Sequence, residues 1–164
     1  MDGLAREDGM LSEALARFAR GAPVVARLMV GGMMIVHGAD KLAGDPAMFG
    51  KFLDEQLFST GGILGWLVIL LEFVGGMFLV VGLLSRLVAL LFTLELVGAI
   101  LVVTAERGLI GSPMVGFERD LAYIASFLVV LLAGPGKPSL DHVLGIEQGS
   151  VALVASTESP REAL

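Results

Sequence analysis

The chain has no cysteine, only 2 histidines and 6 prolines, and 17% charged residues in 164. Without cysteine there is no disulfide, no thiol relay, no Cys-ligated cluster or zinc site, and no covalently attached c-type haem. One histidine, His37, lies in an apolar segment, while His142 follows the break Gly134-Pro135-Gly136-Lys137-Pro138. A bis-His haem needs two embedded histidines and is excluded on that ground. The Glu-x-x-His repeats of a di-iron bundle are missing too, so no metal site is expected, and no nucleotide-binding fingerprint occurs. Positive charge is sparse. A net charge of −6 and a pI near 4.8 leave no Lys/Arg cluster to neutralise phosphates, which argues against a nucleic-acid partner. Asp2, Glu7, Asp8 and Glu13 interrupt any apolar core near the start, so the first twenty residues do not read as a cleavable signal.

Apolar residues are what the chain has in excess. They make up 55% of it and give a mean hydropathy of +0.85, whereas soluble domains are about 45–50% apolar and about 25% charged. The implied environment is a lipid bilayer. Glycine is abundant at 22 residues, and without matching proline that excess points to close helix packing in lipid rather than disorder. Apolar runs cover about 22–42, 63–84, 87–104 and 118–133, each near the length needed to cross a bilayer. The second run carries Glu72. Its fifteen Leu, Ile, Val and Phe residues at about −0.3 to −0.6 kcal/mol each outweigh one central charge at roughly +2.5 to +3.5 kcal/mol, so it inserts with Glu72 aboard.

The expected fold is therefore all-α, an integral membrane four-helix bundle with short amphipathic surface helices. Its organisation is an N-terminal interfacial segment over 1–21, a four-helix domain over 22–145 and a flexible tail over 146–164. The break at Leu84-Ser85-Arg86 is short enough to demand a tight antiparallel hairpin. Asp45 and Pro46 open a short helix with Met48, Phe49, Phe52, Leu53 and Leu57 on one side, and Met10–Arg20 has similar character. With both termini on one side, that side collects Arg6, Arg17, Arg20, Arg86, Lys137 and Arg161 against Lys41, Lys51, Arg107 and Arg119. The bias favours cytoplasmic termini.

The few charges inside the apolar runs are the candidate site. Glu72 and Glu95 each lie nine residues from the distal end of their helix, about 13 Å deep at about 1.5 Å per residue. Each points along small residues, Gly75 and Gly76 or Gly98 and Ala99, where neighbouring helices are expected to approach. His37 and Lys41 share a face of the first helix, and Glu118, Arg119 and Asp120 stand at the start of the fourth. His37, Lys41, Glu72, Glu118 and Arg119 are expected to converge, with Glu95 beneath them. Intramembrane ionisable groups suggest proton handling or ligand binding. The competing expectation is structural, with Lys41 or Arg119 neutralising Glu72, and with Arg27 either snorkelling or meeting Glu95.

Read in order, Arg27, His37-Gly38-x-x-Lys41, Glu72-x-x-Gly75-Gly76, Gly82-Leu83-Leu84-Ser85-Arg86, Gly116-Phe117-Glu118 and Gly134-Pro135-Gly136-Lys137-Pro138-Ser139-Leu140-Asp141 resemble the DoxX family of small four-helix bacterial membrane proteins. The resemblance covers about residues 22–145. It implies the bacterial inner membrane and a link to quinone-dependent oxidoreductases, since related proteins include a membrane subunit of thiosulfate:quinone oxidoreductase. Lys41, Glu72, Arg86 and Glu118 match the family pattern, which assigns them no secure catalytic role.

Three functions compete at this stage. In the first, the chain is a quinone-linked oxidoreductase subunit: Glu72, His37 and Glu118 carry the proton chemistry, Lys41, Arg119 and Glu95 bind the quinone, Arg27 and Arg86 form structural ion pairs, and a soluble or membrane oxidoreductase subunit supplies electrons. The second is a non-enzymatic anchor or assembly factor for such a partner. The third is a small proton-coupled transporter built on Glu72 and Glu95, which four helices could form only as a homo-oligomer.

Overall fold

A computed structural model describes residues 18, 19, 21–60, 62–111 and 113–146. Apart from Phe18, Ala19 and Gly21, the expected interfacial segment lies outside the described residues, as does the tail beyond Ile146. The elements are α1 (Ala22–Ala43), α2 (Pro46–Gln56), α3 (Ile63–Val81), α4 (Ser85–Arg107), α5 (Glu118–Ala133) and α6 (Leu140–Val143). No strand occurs among the described residues. Three helices, α1, α3 and α4, are long and apolar enough to cross a membrane. α5 has 16 residues.

Local chemistry explains the boundaries. Pro23 sits in the first turn of α1, where its missing N–H is no loss. Asp45 caps α2, accepting from the amides of Ala47 and Met48 at 3.0 and 3.1 Å. α3 stops at Val81, earlier than the apolar run suggests, because Gly82 adopts φ 73° and ends the helix in the left-handed region. The hairpin turn is thus Gly82–Leu84, and α4 begins at Ser85. A Cβ at Gly82 would strike Arg27 and Ser139, so glycine is required there for space as well.

The four long helices pack in a ring. α1 lies against α3 and α5, α4 lies against α5, and α3 meets α4 only over its second half. Glycine permits the closest approach: a Cβ on Gly38 would stand 2.8 Å from Phe73 Cα. The apolar core occupies the hairpin half of the bundle and comprises Val30, Met34, Leu79, Val88, Ala89, Phe92, Leu96, Phe127 and Val130. Phe92 and Phe127 stack at 4.8 Å between centroids. The outward faces carry exposed residues such as Val25, Met29, Leu67 and Leu101, the surface expected of helices whose solvent is lipid.

Below the core, the chain after α5 folds back over the hairpin. Asp141, only 2% exposed, accepts from the amides of Leu84 and Ser85 at 2.6 and 2.8 Å, and its own amide donates to Gly82 O at 2.8 Å. Arg27 completes this clasp. It donates to the carbonyls of Leu79, Val80 and Pro138. Arg27 therefore neither snorkels nor meets Glu95, a correction with a simple cause: α3 ends within its reach and offers the carbonyls of its last turn there. Arg86 serves α5 in the same way, donating to Leu131 O at 2.6 Å and Leu132 O at 3.3 Å.

Candidate functional site

At the opposite end, where α1 leads into α2 and α4 into α5, the four helices enclose a cavity of about 420 Å³. α2 lies across it and contributes Phe49, Phe52 and Leu53. Asp54 ties that roof to α3, accepting from Thr60 N at 2.9 Å, Thr60 Oγ1 at 2.6 Å and Gly62 N at 2.9 Å. The volume falls within the range of about 300–1,000 Å³ typical of small-molecule sites.

The cavity has a polar end and an apolar side. His37 and Lys41 reach it from α1, Glu72 from α3, Glu95, Thr104 and Arg107 from α4, and Arg119, Asp120 and Tyr123 from α5. Lys41 Nζ bonds both carboxylate oxygens of Glu72 and stands 4.9 Å from the centroid of the Phe49 ring. Glu72 is 5% exposed, so this ion pair is largely desolvated on the carboxylate side. Glu95 faces the same pair, with Glu72 and Lys41 as its electrostatic neighbours, and its Oε2 is buried without a hydrogen-bond partner. The two carboxyls stand within hydrogen-bonding reach of each other, and Lys41 pairs with Glu72. An orphaned acceptor of this kind is costly unless something occupies the space before it.

Backbone geometry places these groups. Leu71–Gly75 and Ile100–Thr104 are π-helical, the first carrying Glu72 and the second ending at Thr104. Each wide turn shifts the face that follows, a device frequent at functional sites. Thr104 donates to Asp120 Oδ2 at 3.0 Å, and Arg119 donates to Asp120 Oδ1 at 3.2 and 3.3 Å. His37 and Tyr123 meet edge to face at 6.2 Å.

The structure brings together His37, Lys41, Glu72, Glu95 and Arg119, and separates Glu118 from them. Glu118 is exposed outside the cavity, because the helical phase at the start of α5 turns Asp120 inward instead. Arg119 pairs with Asp120 and leaves Glu72 to Lys41. Reasoning from sequence missed the inward roles of Asp120, Thr104, Arg107 and Tyr123. Asp120 and Tyr123, three residues apart, share a face that could have been drawn once the start of α5 was known. Gly98 is a further correction: it was expected at a close helix contact and lines the cavity.

The apolar side of the cavity is where α3 and α4 diverge. Leu64 and Val68 line it from α3, and Leu94, Gly98 and Val102 from α4. The part of α3 before Leu71 makes few contacts with α4, and both helices carry exposed apolar residues on their outer faces.

The DoxX family model matches residues 22–105 of this chain. A protein of Bacillus subtilis (strain 168) named "Putative oxidoreductase CatD" is 28% identical over 134 residues, which cover 79% of this chain and 92% of that protein. No solved structure matches the chain.

Proposed function

The chain belongs to the DoxX family, and from that premise we propose that it is the membrane subunit of a quinone-linked oxidoreductase, with the distal cavity as its quinone site. Quinone here is a diffusible substrate. Its reduction takes two electrons and two protons and yields the quinol. The electrons come from a partner redox subunit, because a chain without cysteine or a pair of embedded histidines offers no evident carrier of its own. The residues of this chain bind, orient and exchange protons. Lys41 and His37 are the donors to the ring oxygens, and the Glu72–Glu95 pair delivers the two protons one after the other, regaining each from the distal side. Asp120, joined to Thr104 and to half-exposed Arg119, lines the same cavity toward the distal surface. The protein lies in the bacterial inner membrane with both termini cytoplasmic.

The observation that supports this reading best is the shape of the cavity. It joins an apolar side, which in this reading opens onto lipid between α3 and α4, to a polar end that contains an unpartnered carboxyl oxygen. A polar ligand arriving through water has no use for an opening onto lipid, whereas a ring on an apolar tail needs both parts. Mass spectrometry of protein extracted in mild detergent should find a quinone that is lost in Glu72→Gln. Visible absorbance without quinone would point to a bound chromophore instead. If neither quinone nor chromophore accompanies the wild-type protein, and added decylubiquinone does not bind, the quinone reading fails and the anchor function takes its place.

A further inference from the structure

Gly75 and Gly98 each follow a glutamate of the cavity by three residues, yet they face opposite surroundings. A Cβ on Gly75 would meet Leu71 Cδ1 at 3.1 Å, Phe92 Cζ at 3.4 Å and Val88 Cγ1 at 3.5 Å, so that glycine lets α4 close on α3. A Cβ on Gly98 would meet nothing within 4 Å. Gly98 is also an ordinary helical residue in α4, with no left-handed φ to require glycine. A glycine inside a helix is destabilising relative to alanine, and at Gly98 neither a turn nor a close neighbour offsets that.

What Gly98 provides is room. It lines the cavity one helical turn beyond Glu95, on the edge where α3 and α4 diverge. We propose that Gly98 is the specificity-determining residue of the cavity: its missing side chain leaves a strip of bare α4 backbone that admits the planar ring of a quinone-class ligand between the lipid-facing opening and the Lys41–Glu72–Glu95 end. This rests on the quinone reading above. A Cβ at position 98 would enter this space without meeting another atom within 4 Å. The same position therefore discriminates among rings by width, and larger residues there exclude wider ones first.

The test uses the full chain in mild detergent, with decylubiquinone as the probe and binding read from the probe-dependent rise in melting temperature. Gly98→Ala and Gly98→Leu are compared with Gly32→Leu, a change at another helical glycine whose Cβ would meet nothing and which lies outside the cavity. In the absence of probe, Gly98→Ala should melt at or above the wild-type temperature. Gly98→Leu should weaken probe binding by about tenfold or more, while Gly32→Leu binds as wild type does. Wild-type affinity in Gly98→Leu overturns the assignment of Gly98 and leaves the quinone reading standing. A lower melting temperature for probe-free Gly98→Ala, or a changed oligomeric state, also overturns it, because Gly98 would then be a helix-contact residue. Failure of the wild-type chain to bind the probe removes both.

Discussion

Replacing Lys41 with methionine tests the central feature of the site, one ammonium paired with the buried Glu72 carboxylate beside a second carboxyl, Glu95. Methionine keeps much of the length of the side chain and removes only its charge and donors. Glu72 then loses both of its bonds to Lys41, and Glu95 is left against it with no cation beside the two. Breaking a fully buried ion pair costs about 3–5 kcal/mol, whereas exposed pairs contribute about 0–1 kcal/mol. Here the carboxylate is 6% exposed and the lysine 26%, so the lower end of the buried range, about 3 kcal/mol, is expected. At about 2–4 °C per kcal/mol for a chain of this size, that is a fall of roughly 6–12 °C in melting temperature. Glu72→Gln should cost less than Lys41→Met, since Glu95 remains to face the lysine. Adding Glu95→Gln to Lys41→Met should recover part of the loss, because it removes one of the two opposed carboxylates. Melting curves in one detergent, with a denaturant series to check the order, supply the double-mutant cycle. Losses that simply add, or a Lys41→Met variant that melts like wild type, would refute the coupling of Lys41 to the two carboxyls.

Three further expectations follow from other parts of the bundle. Gly38→Ala should lower the melting temperature and weaken decylubiquinone binding together, since its Cβ would stand 2.8 Å from Phe73 Cα and press α1, with Lys41, away from α3; overpacking of this kind costs about 1–3 kcal/mol. Asp141→Ala should cost about 3 kcal/mol in a denaturant titration by orphaning the amides of Leu84 and Ser85, and Asp141→Asn, which keeps one acceptor, about half as much. Glu118→Gln should leave probe affinity unchanged and alter stability by less than about 0.5 kcal/mol, because Glu118 is exposed outside the cavity; a loss of affinity would place it back at the site.

Much of the helix layout was legible in the sequence because lipid imposes a simple rule. A segment that crosses a bilayer must satisfy its backbone internally and present apolar side chains around it, so apolar runs mark helices almost without regard to context. The same rule made Glu72, Glu95, His37 and Lys41 conspicuous as ionisable groups in apolar surroundings, and their spacing from the helix ends put both glutamates at one depth. The short hairpin and the capped helix after Asp45 could also be read locally. The carbonyl-bonded position of Arg27, the inward turn of Asp120 in place of Glu118, and the choice of Lys41 over Arg119 for Glu72 could not. Each depends on helical phase and on where a neighbouring helix stops, and two π-helical turns alter that phase in ways no periodicity reveals. Gly75 and Gly98 show the division most clearly. Sequence alone made both of them small residues beside a buried carboxylate. Only the packing of α3 on α4, tight near their shared hairpin and open toward the distal end, decided that one closes a helix contact and the other leaves a space.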